Sequence, residues 1–187
     1  MNDFSVSDLD RGIVLVGLMG AGKSSVGRRL AKRLGLSFYD ADSEIEKAAD
    51  CTVAEIFERH GEAAFRDGER RVIARLLDGP PHVLATGGGA FMDDETRAAI
   101  RDKGISIWLR ADLEILLERV KRRDNRPLLK QGNPEDILRA LMAERDPIYA
   151  QADLTITSSE GPHEDVVEQI VLALGGHLAD RVAGQVS

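Results

Sequence analysis

Gly17-Leu-Met-Gly-Ala-Gly-Lys23-Ser24 places glycines, a lysine and a hydroxyl at the spacing G-x-x-x-x-G-K-S. Glycines let backbone N–H groups turn inward around phosphate oxygens. A helix opening near the lysine adds its positive end, and the amine reaches the β- and γ-phosphates. The Ser24 hydroxyl stands where Mg²⁺ is coordinated. The chemistry implied is binding of a nucleoside triphosphate. The plainer alternative is a glycine-rich strand-to-helix turn. The apolar run before the motif and the helical period after it favour the phosphate loop.

Four further groups bear on what is done with the phosphates. Asp40-Ala-Asp42 offers two carboxylates, one for a metal and one to hydrogen-bond an acceptor hydroxyl. A helix start is the competing reading, since Ser43 with Glu46 has capping-box spacing and Asp42 can cap. Arg66, in Gly61-Glu62-Ala-Ala-Phe65-Arg66, is an anion clamp or the i+4 partner of Glu62 on a helix surface. Gly87-Gly88-Gly89 lowers local stability, which suits close ligand approach or a plain hinge. Five of the eight residues from Arg119 to Arg126 are basic. With Arg145-Asp-Pro-Ile-Tyr149 they suit a lid that brings arginine to transferring charge, or a solvated charge run.

The elements that must position these groups alternate. Apolar or β-branched runs at Gly12–Val16, Ser37–Asp40, 82–86, 105–109 and 153–157 read as strands. Segments of helical period lie between them: Lys23–Leu34, 43–77, Asp94–Lys103, Leu113–Lys121, 133–149 and 164–174. Five strands separated by helices imply an α/β fold, a parallel sheet covered on both faces, with ligands beyond the carboxyl ends of its strands. The phosphate loop, the Asp40/Asp42 pair and the glycine run all fall there. The last dozen residues read as loosely held.

Composition bounds the rest. The chain has 187 residues, one domain's worth, with 25 Lys plus Arg against 32 Asp plus Glu, a net charge of −7. That balance argues against a nucleic-acid or membrane-surface partner. One cysteine, Cys51, excludes an internal disulfide and a multi-cysteine zinc site. The acidic, apolar-poor start is unlike a secretory peptide, and no apolar run approaches the ~20 residues of a membrane span. A cytoplasmic monomer is expected. No guanine-reading N-K-x-D segment occurs, and motor ATPases need longer chains, which leaves a small-molecule or nucleotide kinase.

GLMGAGKSSVGRRLA, FYDADSEIE, GEAAFR, GGGA after a strand, RPLL and RDPIY occur in that order. Together they resemble the shikimate kinase family, over residues 12–157. The phosphate loop is generic; the D-x-D, F-R, G-G-G, R-P-L-L and R-x-P-x-Y set is specific to that family. The resemblance implies a nucleoside-monophosphate-kinase-like P-loop fold with strand order 2-3-1-4-5. It implies one domain over 1–187, with a substrate-binding helical insert at about 41–79 and a lid at about 120–133.

It implies ATP and shikimate as substrates and Mg²⁺ as cofactor. Gly20, Ala21, Gly22, Lys23, Ser24 and Ser25 would wrap the nucleotide phosphates. Ser24 would ligate Mg²⁺, with Asp40 near the metal. Asp42, Arg66, the Gly87, Gly88 and Gly89 run and Arg145 would hold shikimate, the arginines taking its carboxylate. Lys23, Asp42 and Arg126 would be catalytic, with Arg126 on ATP phosphates, Arg119 against adenine, and Phe57 and Phe65 as apolar walls. Ser25 replaces a common threonine and keeps its hydroxyl. Residues 158–161 show no clear match to a further adenine-side contact, so adenine recognition stays partly open.

Overall fold

A computed structural model describes residues 7, 9–122, 132–158 and 160–184. In chain order the elements are β1 (Gly12–Val16), α1 (Lys23–Leu34), β2 (Ser37–Asp40), α2 (Ala41–Ala49) and α3 (Val53–Leu77). They continue with β3 (His82–Ala85), a 3₁₀ turn (Ala90–Met92), α4 (Asp94–Lys103), β4 (Gly104–Arg110), α5 (Leu113–Lys121), α6 (Pro134–Tyr149), β5 (Leu154–Thr157) and α7 (His163–Gly184). The five strands form one sheet in the order β2-β3-β1-β4-β5, every pair parallel. This is the expected order.

β1 lies at the centre, Ile13 opposite Val83 on one side and Ile105 on the other. All five of its residues are buried, as befits a strand covered on both faces. Ile13, Leu15, Leu30, Leu84, Ile105, Ile107 and Leu109 fill the main core. Gly17 leaves β1 at φ 140°, and a Cβ there would lie 2.6 Å from the Leu109 carbonyl oxygen. Glycine is required at that exit by both backbone conformation and close approach to β4.

Helices α2 and α3 share a small core of Ile45, Ile56, Phe65 and Val72, while Ala41, Ile73 and Leu77 join them to the main core. Thr52 and Glu55 form a reciprocal capping box at the start of α3. Gly61, at φ 81° and ψ 174°, then breaks the helix between its two halves. The segment read as helical from 43 to 77 is therefore two helices, with a break inside the second.

The carboxyl end of the chain departs from the expectation. Helix α7 continues past 174 to Gly184 despite Gly175 and Gly176, which read as a stop. Leu178 is buried in the main core, and Arg181 lies 3.8 Å from Asp10. Packing overrides glycine's low helix propensity here. Two ion pairs four residues apart, Arg29–Glu164 at 2.9 Å and Arg33–Glu168 at 3.0 Å, lay α7 along α1. Among the described residues no helix is long and apolar enough to cross a membrane.

Candidate active site

The carboxyl edge of the sheet gathers the loop after β1, the end of β2 and the glycines after β3. Gly20 at φ 81° and Gly22 at φ 94° give the phosphate loop its left-handed turns, and Ala21 between them is buried. Lys23 opens α1. Its buried ammonium donates to the Gly17 carbonyl at 2.6 Å and the Leu18 carbonyl at 2.8 Å, across the mouth of its own loop. Ser24 Oγ donates to Asp40 Oδ2 at 2.6 Å. Ser25 follows in the first turn of α1.

Within the acidic pair, the helix-start role falls to Asp40. Its Oδ1 accepts from the Ser43 N–H at 3.3 Å, so Asp40 is the N-cap of α2; neither Ser43 nor Asp42 has that role. Asp42 is left in the first helical turn, facing the glycine run. Burial first, and the charge of Asp40 second, hold its carboxyl above the ordinary aspartate range, while Lys23 and Arg66 pull the other way.

Arg66 and Arg145 arrive from opposite sides. Arg66 Nη1 donates to Glu69 Oε1 at 2.8 Å, and Nη2 lies 3.6 Å from Glu62. Arg66 thus pairs with Glu62 on the helix surface and also reaches the glycine run. The guanidinium lies flat against Gly89, where a Cβ would be 2.7 Å from Cζ. It also sits 5.2 Å over the ring of Phe65, which packs on Phe57 at 4.7 Å. Arg145, on α6, has Nη1 3.5 Å from where a Cβ at Gly88 would stand, and its Nε is buried without a partner. Gly87, Gly88 and Gly89 are thus bordered by Asp42, Arg145 and Arg66 respectively.

One residue of this site escaped the sequence reading, and a second enters it only as part of the R-x-P-x-Y motif. Glu69 is 2% exposed, and a Cβ at Gly87 would lie 3.2 Å from both its Oε2 and Asp42 Oδ1. Its Oε2 has no partner, and burial raises its carboxyl against the opposing pull of Arg66. The signal for it was i+3 spacing from Arg66, which Glu62 at i−4 matched equally. Tyr149 donates its hydroxyl to the Gly88 carbonyl and stacks on Trp108 at 5.9 Å. Burial pushes its phenol up to about 12, so it remains a donor at neutral pH.

On the far side of the phosphate loop, Arg119 Nη1 donates to the carbonyls of Gly20 and Ala21, both at 3.3 Å. It also donates to Ser158 Oγ at 3.1 Å. Ser158, buried beyond β5, thus meets Arg119 in the region where no match was legible. Arg126, expected to be catalytic, and residues 123–131 of the expected lid lie outside the described residues.

The donor set fits a magnesium ion. Ser24 supplies a hydroxyl with a carboxylate directly behind it. Among the described residues there is no group of three or more His, Cys, Asp or Glu able to hold a metal. Mg²⁺ commonly keeps its waters and takes phosphate oxygens, with little direct protein ligation.

A P-loop at the exit of the central strand, sheet order 2-3-1-4-5 and a helical insert after β2 define a P-loop kinase domain of the nucleoside-monophosphate-kinase type. Within that class, a family model described as shikimate kinase matches residues 19–175. The chain belongs to the shikimate kinase family. It is 59% identical over 175 residues to a shikimate kinase of Bradyrhizobium diazoefficiens, covering 94% of this chain and 84% of that one. It is 61% identical to a shikimate kinase of Rhodopseudomonas palustris, covering 90% and 83%. A solved shikimate kinase of Acinetobacter baumannii, in complex with shikimate, superposes with TM-score 0.85 and 42% identity. That match covers 89% of this chain and 94% of that one. A gluconokinase of Sinorhizobium meliloti, at 20% identity and TM-score 0.58, shares the fold.

Proposed function

We propose that this protein transfers the γ-phosphoryl group of ATP to the 3-hydroxyl of shikimate, giving shikimate 3-phosphate and ADP. The observation that carries the reading is the convergence of Arg66, Arg145 and Asp42 on one run of three glycines beside the phosphate loop. A small polyol acid needs a charge-assisted grip on its carboxylate and an acceptor for its reacting hydroxyl. Bare backbone between them lets it approach closely.

In this reading Arg66 and Arg145 hold the carboxylate, Gly88 and Gly89 face the ring, and Asp42 hydrogen-bonds the 3-hydroxyl. The hydroxyl oxygen bonds to the γ-phosphorus as the bond to the ADP oxygen breaks, and Asp42 takes the proton. Its upward-shifted carboxyl suits that task better than a free aspartate does. Glu69 keeps the Arg66 guanidinium turned toward the acid. The insert over 41–79 is then the acceptor-binding unit and 120–133 the lid, with Arg126 on the phosphates.

Lys23 exchanges its two carbonyl partners for phosphate oxygens and faces the charge that develops during transfer. Ser24 would hold Mg²⁺ with Asp40 behind it, and the ion would supply positive charge to the phosphates. Arg119 packs the base side of the loop.

ADP release from ATP–Mg²⁺ is measured with shikimate, gluconate, AMP or no acceptor. Release that depends on shikimate is expected. Turnover independent of shikimate, or selective for AMP or gluconate, refutes the assignment.

A further inference from the structure

Helix α3 presents Arg66, Glu69 and Arg70 on one face, at i, i+3 and i+4. Arg66 and Glu69 belong to the site; Arg70 reaches past it. Arg70 Nε donates to Asp93 Oδ2 and its Nη2 to Asp93 Oδ1, both at 3.2 Å, a two-point fork between guanidinium and carboxylate. Asp67 and Glu95 stand within 3.6 Å of the same guanidinium. Asp93 also caps α4, accepting from the Thr96 N–H at 2.8 Å and its hydroxyl at 2.9 Å. Against the upward push of burial, the bonds from Arg70 and Thr96 hold its carboxyl below the ordinary range. It is therefore a charged partner at neutral pH.

The spacing on the two sides is the same. Arg70 follows Arg66 by four residues, and Asp93 follows Gly89 by four. The contact of Arg66 with Gly89 and the fork between Arg70 and Asp93 are thus two parallel rungs between α3 and the segment after the glycine run. Arg97 Nη1 donates to the Phe91 carbonyl at 2.7 Å, which ties that segment to α4. Ile73 and Leu77 anchor the second half of α3 in the main core, and the fork adds a directional polar link at Arg70, between that anchor and Arg66.

We propose that the Arg70–Asp93 fork is a strut that sets the position of Arg66 over Gly89, making both residues positioning residues for the acceptor's carboxylate. Neither touches the phosphate loop, so their effect falls on the acid and not on the nucleotide. The proposal rests on the shikimate reading of the site.

The test compares wild type with Arg70→Met, Arg70→Lys, Asp93→Asn and the Arg70→Met/Asp93→Asn double variant. Asparagine is itself a good N-cap, so Asp93→Asn removes the charge of the fork and leaves α4 capped. Michaelis constants for shikimate and ATP, kcat and Tm are measured by ADP release and thermal melting. Each of Arg70→Met and Asp93→Asn is expected to raise the shikimate KM about three- to tenfold, with ATP KM and kcat within about twofold.

The double variant is expected to match the larger single effect, since one interaction is lost in all three. Arg70→Lys, able to keep one bond, falls between wild type and Arg70→Met. An unshifted shikimate KM in either Asp93→Asn or Arg70→Met overturns the strut, as do parallel rises in both KM values or additive single effects. Absence of shikimate-dependent turnover in the wild type overturns the underlying reading instead.

Discussion

Gly89→Ala isolates the acid grip from the stability of the fold. Gly89 sits at φ −94° and ψ −9°, a conformation alanine adopts without strain. The added methyl would lie 2.7 Å from both Cζ and Nη1 of Arg66 and closer still to Nη2. Carbon cannot be accommodated there, so the guanidinium, the far end of a flexible side chain, swings away and the backbone stays. The interaction lost to the substrate is a charge-assisted hydrogen bond, worth about 1.5–3 kcal/mol. At 1.4 kcal/mol per factor of ten, shikimate KM should rise about 10- to 100-fold.

In the proposed reading ATP would lie on the opposite wall, so its KM should stay within about twofold. Stability should fall by no more than ~1 kcal/mol, about 2–4 °C in Tm for a chain of this size, because Glu69 can take up a proton once Arg66 has left. Steady-state ADP release with each substrate varied in turn, beside a thermal melt, reads all of these. Gly68→Ala is the control: nothing lies within 4 Å of a Cβ there, and its KM values should match wild type. A shikimate KM within twofold of wild type in Gly89→Ala would refute the placement of Arg66 in the acid site.

Lys23→Ala should lower kcat by about 10²–10³-fold, as for loss of a charge facing the transition state, with circular dichroism unchanged. Unimpaired turnover would remove the lysine from the mechanism. Asp42 carries a pH prediction. Because its carboxyl is shifted up in the folded protein, the native state holds a proton that the unfolded chain has released, over the window between the ordinary range and the raised value. Stability therefore falls as pH rises through that window, and the charged form is a cost at neutral pH. Asp42→Asn should raise Tm at pH 7.5, by an amount that shrinks as pH falls through that window toward the ordinary aspartate range, while abolishing most turnover. In wild type the acid limb of kcat/KM should lie above the ~3.9 of a free aspartate; a limb at or below it counts against Asp42 as proton acceptor.

The strands and the helices that follow them were legible because each apolar run is bounded by residues that end it. β1, α1, β2, α4 and α5 begin and end where pattern placed them. The phosphate loop was legible for a related reason: its chemistry is local, written in eight consecutive residues. What pattern did not carry was contact between distant segments. Asp40 looked like a metal-side acid and Ser43 like a cap, and only the fold shows that Asp40 caps α2 while it accepts from Ser24. Glu69 became visible once α3 was packed against Gly87, as did Ser158 once β5 brought it to Arg119. The length of α7 was hidden by two glycines whose cost is met by Leu178 in a core that spacing does not reveal.

The ammonium of Lys23, resting on the Gly17 and Leu18 carbonyls, bears on how much the lysine adds to nucleotide affinity. The loop's own carbonyls offset the cost of burying that charge and set its direction. A phosphate oxygen that replaced them would take over a partner whose desolvation the fold has already met, so the lysine's share of nucleotide affinity is smaller than a bare buried charge would suggest.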